Sequence, residues 1–252
     1  MNLEPSQSPA ISIVIPVFNE ERRIQRTLSE VSRYFADHHA EILVVDDGSS
    51  DRTVAVVQAF ADSHPEFRVM AEKHRGKAAT VLAGMQAAKG QLVAFMDADL
   101  ATPLETWELC ERAIAHGAGV AIASREGTGS SRVAEPWYRH VMGRVFNGLV
   151  QLLLLPGISD TQCGFKVFSR VALDGILPRQ RLYQDAREVR SARVTAFDVE
   201  LLYIGRKLGH SIAVIPITWQ YGDQSKVNPL TDTVQNVLDV LKVKWNDIRG
   251  RY

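Results

Sequence analysis

Short, β-branched apolar runs alternate along the first half of the chain with stretches whose apolar residues return every three or four positions. ISIVIPV (11–17), EILVVDD (41–47), RVMAE (68–72), QLVAFMDAD (91–99) and GVAIASR (119–125) predict strands. Between them, Ile24, Leu28, Val31 and Phe35, then Val54, Val57 and Phe60, then Val81, Leu82, Met85 and Ala88 keep helical spacing. Start signals stand ahead of these helices. Asn19 is the expected N-cap of the first, with Glu20 and Glu21 in its first turn, and Ser50 of the second; Thr102-Pro103-Leu104-Glu105 reads as a capping box with proline at the first helical position. The alternation predicts an α/β fold, a Rossmann-like, mainly parallel sheet with helices on both faces, whose ligands bind beyond the carboxyl ends of the strands.

The rhythm breaks after Arg125. A Gly/Ser-rich loop (127–131) leads to an amphipathic helix from about Pro136 to Leu155, a turn at Pro156-Gly157, the loop GISDTQCGFK and a strand KVFSR. Residues 179–193, with five arginines and two acids, read as a mobile loop. A helix over FDVELLYIGRKLG, a strand over 211–219, a polar loop to Asn228 and a helix from Pro229 to about Ile248 complete the pattern. With no repeat or linker in view, residues 10–252 are expected to form one domain after a short disordered tail (1–9), with 10–125 and 126–252 as its two halves.

Charge sharpens this division. The chain of 252 residues has 29 Lys+Arg and 29 Asp+Glu, yet residues 1–124 hold 11 basic and 17 acidic side chains and residues 125–252 hold 18 and 12. A neutral total speaks against a dedicated nucleic-acid binder, and the −6 and +6 halves are expected to face different partners. Two cysteines, Cys110 and Cys163, make no disulfide framework and read as packing residues in a reducing, cytoplasmic setting. The N-terminus lacks the features of a signal peptide, and the most apolar stretch, Leu149 to Ile158, is about half the roughly 20 residues a bilayer demands, so the chain is expected to be soluble or peripheral.

The chemistry collects at strand ends. Asp97 and Asp99 follow an apolar strand at i and i+2, hence on one face, and hard cations such as Mg²⁺ or Mn²⁺ take carboxylate oxygens together with ligand phosphates. The competing reading of a lone D-x-D is a solvated strand end. Asp46 and Asp47 end a second strand, and a carboxylate there can accept N–H bonds from a nucleobase. The seven histidines show no metal-ligand spacing.

IPVFNE (15–20), VVDDGSSDRT (44–53), HRGKAAT (74–80), FMDADLATP (95–103) and ASRE (123–126), in this order, resemble the inverting, GT-A-fold glycosyltransferases of family two. SDTQCGFKVF (159–168), FDVELLYIGRKLG (197–209) and the segment from Trp219 to Lys226 resemble its polyprenyl-phosphate branch, nearest to the dolichyl-phosphate β-glucosyltransferases. The resemblance implies a UDP-sugar donor. Pro16, Val17, Phe18, Glu20, Asp46 or Asp47, Lys77, Asp97, Ala98 and Asp99 would bind it, with Asp97 and Asp99 as metal ligands. Related mannosyltransferases usually carry Gln two residues after the second Asp; Ala101 stands there in this chain, which favours UDP-glucose over GDP-mannose.

The acceptor follows from whether a base is needed. A sugar hydroxyl requires a general base, whereas a lipid monophosphate, with a second pKa of about 6, is already largely ionised and requires cations. Arg125 follows a strand end, and Arg139 matches a phosphate-binding arginine of the resembling mannosyltransferases, although Gly143 replaces the serine one turn on. Gln162 and Lys166 are further acceptor candidates, Arg132 is a weaker one, and Asp160, Asp198 and Glu200 are the candidate bases. Asp99, Arg125, Arg139 and Asp160 are therefore the expected catalytic set for transfer of a hexose to a polyprenyl or dolichyl phosphate. For Glu200 the alternative is a buried carboxylate bonded to backbone donors. The helix over 136–155 carries more apolar surface than core packing needs, fitting a membrane interface or the core, and the helix over 229–248, with Val234, Val237, Leu238, Leu241 and Trp245 at helical spacing and basic residues near its end, fits a dimer contact, core packing or a basic membrane foot. A soluble hydroxyl acceptor, or a nucleotide-sugar-binding protein without catalysis, are the competing functions.

Overall fold

The computed structural model describes residues 9–133, 137–184, 188–189, 195–220 and 229–252, and of residues 137–139, 220 and 229–232 the backbone alone. Its strands are β1 (Ile11–Val17), β2 (Ala40–Asp46), β3 (Phe67–Ala71), β4 (Leu92–Met96), β5 (Val120–Ser124), β6 (Ser131–Val133), β7 (Phe165–Ser169), β8 (Ile212–Pro216) and β9 (Thr218–Gln220). Its helices are α1 (Ile24–Tyr34), α2 (Thr53–Ala61), α3 (Lys77–Ala87), α4 (Thr106–Ala115), α5 (Trp137–Leu153), α6 (Arg170–Ile176), α7 (Phe197–Lys207) and α8 (Pro229–Ile248).

Seven strands form one sheet in the order β3-β2-β1-β4-β7-β5-β8. All its pairings are parallel except the two made by β7, which runs antiparallel to β4 and to β5. Alternation within each strand divides the core. Val14, Leu43 and Val45 pack with Val81 and Met85 of α3 and with residues of α5 to α8, whereas Ile13, Ile15, Ile42 and Val44 meet Leu28 of α1, Val57 of α2 and Trp107 of α4. Helices therefore cover both faces, as the sequence pattern predicts. Because β7 is reversed, its first residue, Phe165, pairs with Met96 at the end of β4, so the loop entering β7 arrives at the edge where β1, β2, β4 and β5 finish. A short parallel ribbon, β6 with β9, pairs Arg132 with Trp219 beside that edge.

Several helix starts differ from expectation. Asn19 adopts φ +52° instead of capping α1, which begins only at Ile24, and its Oδ1 accepts the Ser50 N–H at 2.8 Å. Ser50 does not cap α2 either; Asp51 Oδ1 takes the Thr53 N–H at 2.9 Å. Thr102 forms no cap, because its hydroxyl lies against the Cys163 sulfur at 3.6 Å, and α4 starts at Thr106. For Asn19 and Thr102 a contact across two loops outcompetes the local capping bond, and at α2 the neighbouring Asp51 takes the capping place. The strand expected over 211–219 is interrupted at Ile217 into β8 and β9, and α6 is an element the sequence pattern missed. Residues 1–8 of the expected tail (1–9), part of the arginine-rich loop and residues 221–228 of the polar loop lie outside the described residues.

Candidate active site

The β1–α1 and β2–α2 loops brace one another. Asn19 N–H donates to Ser49 Oγ at 2.8 Å and Glu20 N–H to Thr53 Oγ1 at 2.8 Å, while Glu20 pairs with Arg23. Gly48 sits at φ +72°, and a Cβ there would stand 2.9 Å from the His74 backbone nitrogen, so only glycine lets the two turns approach. Asp46 and Asp47, which precede Gly48, are both buried, with different duties. Asp47 is saturated: it accepts the N–H groups of Arg75 (2.8 Å) and Gly76 (3.0 Å) and bonds His74 Nδ1 at 2.9 Å. His74 in turn stacks flat on Phe18, ring centroids 4.1 Å apart. Asp46 commits Oδ2 to the Ser49 N–H at 2.9 Å, but its buried Oδ1 has no partner among the described residues. A buried acceptor without a donor is costly unless a ligand supplies one. Of the two carboxylates, Asp46 is thus the one with an oxygen to offer.

Val17 and Ala98 occupy the same edge but are core residues, 2% and 7% exposed. Side-chain contact with a ligand is not available to them; the Val17 carbonyl takes the Asp47 N–H and the Ala98 carbonyl the Thr27 hydroxyl. Pro16, opposite Val45, is only partly covered.

Asp97 emerges from β4 with its Oδ1 2.5 Å from Lys77 Nζ, at the first turn of α3. Burial opposes the Lys77 charge, but Asp97, helped by Asp198 and Asp99, outweighs it and holds the ammonium above its ordinary range. Asp99 is pushed up, first by burial and then by Asp97, against the Ala101 N–H and Lys77. The floor beneath Asp97 is the loop entering β7: the Asp97 N–H donates to the Gly164 carbonyl, and a Cβ on Gly164 would lie 2.0 Å from Asp97 Oδ2. Gly164 belongs to the DTQCGFK motif, and this approach is the physical reason for its glycine.

Across the cleft stands Arg125, directly after β5. Its Nε and one Nη donate to the two oxygens of Asp160, each at 2.8 Å, and its own N–H donates to Oδ2 at 2.9 Å. The guanidinium also lies over the Trp219 ring, 5.3 Å from its centroid. Asp160 is fully buried, and although burial works against its charge, Arg125 holds it ionised, down at about 2. Asp97, Asp99, Thr102, Arg125, Gln162 and Trp219 line one cleft, and the buried Gln162 Nε2 has no partner among the described residues.

Lys166 corrects an expectation. Its side chain is fully buried under the cleft, with Nζ donating to the Cys163 carbonyl at 2.6 Å and to Asp198 at 3.1 Å, so it does not reach an acceptor. Asp198 is accordingly paired, and burial keeps its carboxyl high. Glu200 follows the structural alternative: it accepts the Arg181 and Leu182 N–H groups (both at 2.9 Å) and the Tyr252 hydroxyl at 2.6 Å. Arg132 braces the loop through Glu126 (2.8 Å) and the Arg125 carbonyl (3.3 Å). Arg139 lies in α5, with its side chain outside the described residues. Trp219, Thr102 and Gly164 have no site role in the sequence reading; the segment from Trp219 to Lys226, FMDADLATP and SDTQCGFKVF, which contain them, are the signals that could have found them.

A family model described as "Glycosyl transferase family 2" matches residues 12–177, from β1 to the end of α6, and contains every cleft residue named except Trp219. The chain belongs to glycosyl transferase family 2. Among relatives of this family 2 transferase, a Drosophila melanogaster dolichyl-phosphate beta-glucosyltransferase is 31% identical over 96% of this chain and 76% of its own. One from Dictyostelium discoideum is 28% identical over 99% and 78%. Glucosyl-3-phosphoglycerate synthase from Mycobacterium tuberculosis, solved with Mn²⁺, UDP and phosphoglyceric acid, superposes on the family 2 chain with a TM-score of 0.66. It is 20% identical over 94% of this chain and 78% of that one, and shares the GT-A fold. No helix of the described residues is long and apolar enough to cross a membrane.

Proposed function

We propose that the chain transfers glucose, with inversion, from UDP-glucose to a polyprenyl or dolichyl phosphate. One observation carries the acceptor class. The only carboxylates lining the cleft among the described residues are Asp97 and Asp99, on the donor side, and Asp160, behind Arg125, is consumed by three bonds from it. The acceptor side thus offers a fixed cation and no base. An ionised phosphate needs no base, whereas a hydroxyl does.

On the donor side, Asp46 Oδ1 is a fitting acceptor for a uracil N–H, with Phe18 on its His74 backing as the adjacent aromatic wall. Residues 10–125 would hold the donor and 126–252 the acceptor. Asp97 and Asp99 would hold Mg²⁺ or Mn²⁺. The donor set fits: Asp97 and Asp99 bring carboxylate oxygens, the hard donors such cations take, to the same cleft, and two carboxylates leave the remaining coordination to diphosphate oxygens and water. When bound, the metal supplies countercharge to the leaving diphosphate. Lys77 adds a second positive charge beside Asp97, and Arg125 and Gln162 orient the incoming phosphate. The names of the fly and slime-mould relatives support this donor and acceptor, and the Mn²⁺- and UDP-bound synthase supports the metal and nucleotide. The two unpaired, buried cysteines fit work at a cytoplasmic membrane face.

The test is a matrix of UDP-glucose and GDP-mannose against a polyprenyl phosphate and a hydroxyl sugar, with Mg²⁺ or Mn²⁺. UDP release with the lipid phosphate is expected. Release only with the hydroxyl sugar would overturn the reading.

A further inference from the structure

α8 carries two apolar faces. One is buried, through Val240 and Val243; the other, Val234, Leu238, Leu241, Trp245 and Ile248, is 46–67% exposed. The exposed set advances by 4, 3, 4 and 3 residues, so it forms one continuous stripe along the helix. α5, packed against α8, repeats the device with exposed Val141, Val145 and Leu152 at 4 and 7 residues. α5 starts at the cleft mouth: it follows β6, a strand of the ribbon that contains Trp219, and His140 near its start lies 3.7 Å from Glu126 beside Arg125.

Charge decides what can cover these stripes. In residues 233–252 the acids are Asp239, fully buried, and Asp247, paired with Lys207 at 2.5 Å. The exposed charges flanking the α8 stripe are Lys242, Arg249 and Arg251, Arg249 over the Trp245 ring at 4.5 Å, and Arg144 lies beside the α5 stripe. A second copy laid on the stripe would set these cations against their own kind, the arrangement that disfavours helix pairing. An anionic lipid surface accepts both the apolar stripe and its basic flanks.

We propose that α5 and α8 form a docking surface for an anionic membrane, bringing the cleft mouth to the headgroups. This deepens the lipid-phosphate reading and rests on it for its purpose, though not for its geometry. The test is flotation of the full chain with phosphatidylcholine vesicles, with or without phosphatidylglycerol. Leu241→Glu and Trp245→Glu are compared with Val171→Glu, an exposed valine on α6 outside the stripes. Binding to the phosphatidylglycerol vesicles is expected, weakened about tenfold or more by each stripe variant, a loss of about 1.4 kcal/mol, and unchanged by Val171→Glu. Transfer to a short-chain, water-soluble isoprenyl phosphate is expected to survive in all three variants. Equal flotation of all variants would overturn the proposal, as would a dimer in light scattering that Leu241→Glu splits. Loss of transfer to every phosphate acceptor with flotation intact would instead overturn the acceptor reading and leave the docking surface standing.

Discussion

Arg125 and Asp160 meet as a two-pronged pair inside the protein, with Nε and Nη each 2.8 Å from a different carboxylate oxygen. The geometry fixes the guanidinium in one plane and leaves Asp160 nothing with which to take a proton. Asp160→Asn is expected to destabilise the chain by about 2–3 kcal/mol, because the partly buried Arg125 loses its charged partner, and to raise the acceptor KM more than it lowers kcat. Denaturant unfolding and acceptor titrations check this. Loss of kcat with unchanged stability and KM would make Asp160 a base.

The same pair sets an acid limit. Asp160 is held at about 2 in the folded chain against about 3.9 in an unfolded one, so its contribution, roughly 2–3 kcal/mol, is complete above pH about 4. It is lost as pH falls from there through about 2. Stability measured across this window is expected to fall more steeply for the native chain than for Asp160→Asn.

Asp46 and Asp47 separate by their bonding. Asp46→Asn would turn an amide towards a position that needs an acceptor, and the donor KM is expected to rise about 10- to 100-fold, the weight of 1–3 kcal/mol, with little change in melting temperature. Asp47→Asn is expected to lower both donor binding and melting temperature, since it disturbs the turn over residues 74–76. Thermal melts and donor titrations on the two variants distinguish these outcomes.

Gly164→Ala would drive a methyl group to 2.0 Å from Asp97 Oδ2. Displacing that carboxylate is expected to cost transfer at least about 100-fold, roughly 2.7 kcal/mol, while circular dichroism stays native. Isothermal titration of Mn²⁺ with UDP would show the weakened site directly.

Lys166 and Asp198 form a pair under the cleft. Lys166→Met alone is expected to cost about 3–5 kcal/mol by stranding Asp198, and adding Asp198→Leu is expected to recover most of it. An acceptor KM unchanged in the double variant would confirm that Lys166 supports the cleft from below.

The periodicity of ISIVIPV, EILVVDD and QLVAFMDAD was enough to read the parallel half of the sheet, because each strand is buried on both faces and followed by its own helix. The direction of β7 was not legible: KVFSR has the same apolar character whichever way it runs, and its partners lie about 45 to 75 residues earlier in the chain. Asp97, Asp99 and Arg125 were found because strand ends announce themselves. Lys166 misled because a lysine in a motif reads as a cation for a ligand, and only tertiary packing reveals that Phe95, 5.0 Å from its Nζ, roofs it in. The division of labour between Asp46 and Asp47 depends on which backbone N–H groups turn towards each, and adjacent residues in sequence carry no record of that.

The reversed strand also bears on how the chain is made. β1 to β4 complete their mutual pairings within the first 96 residues, but β4 and β5 touch only through β7. During synthesis from the N-terminus, one side of β4 and one side of β5 therefore wait with unpaired backbone groups until Ser169 has been added, and the other side of β5 waits until Pro216. That interval is when the nascent protein presents an open apolar strand edge, the feature most prone to wrong pairing.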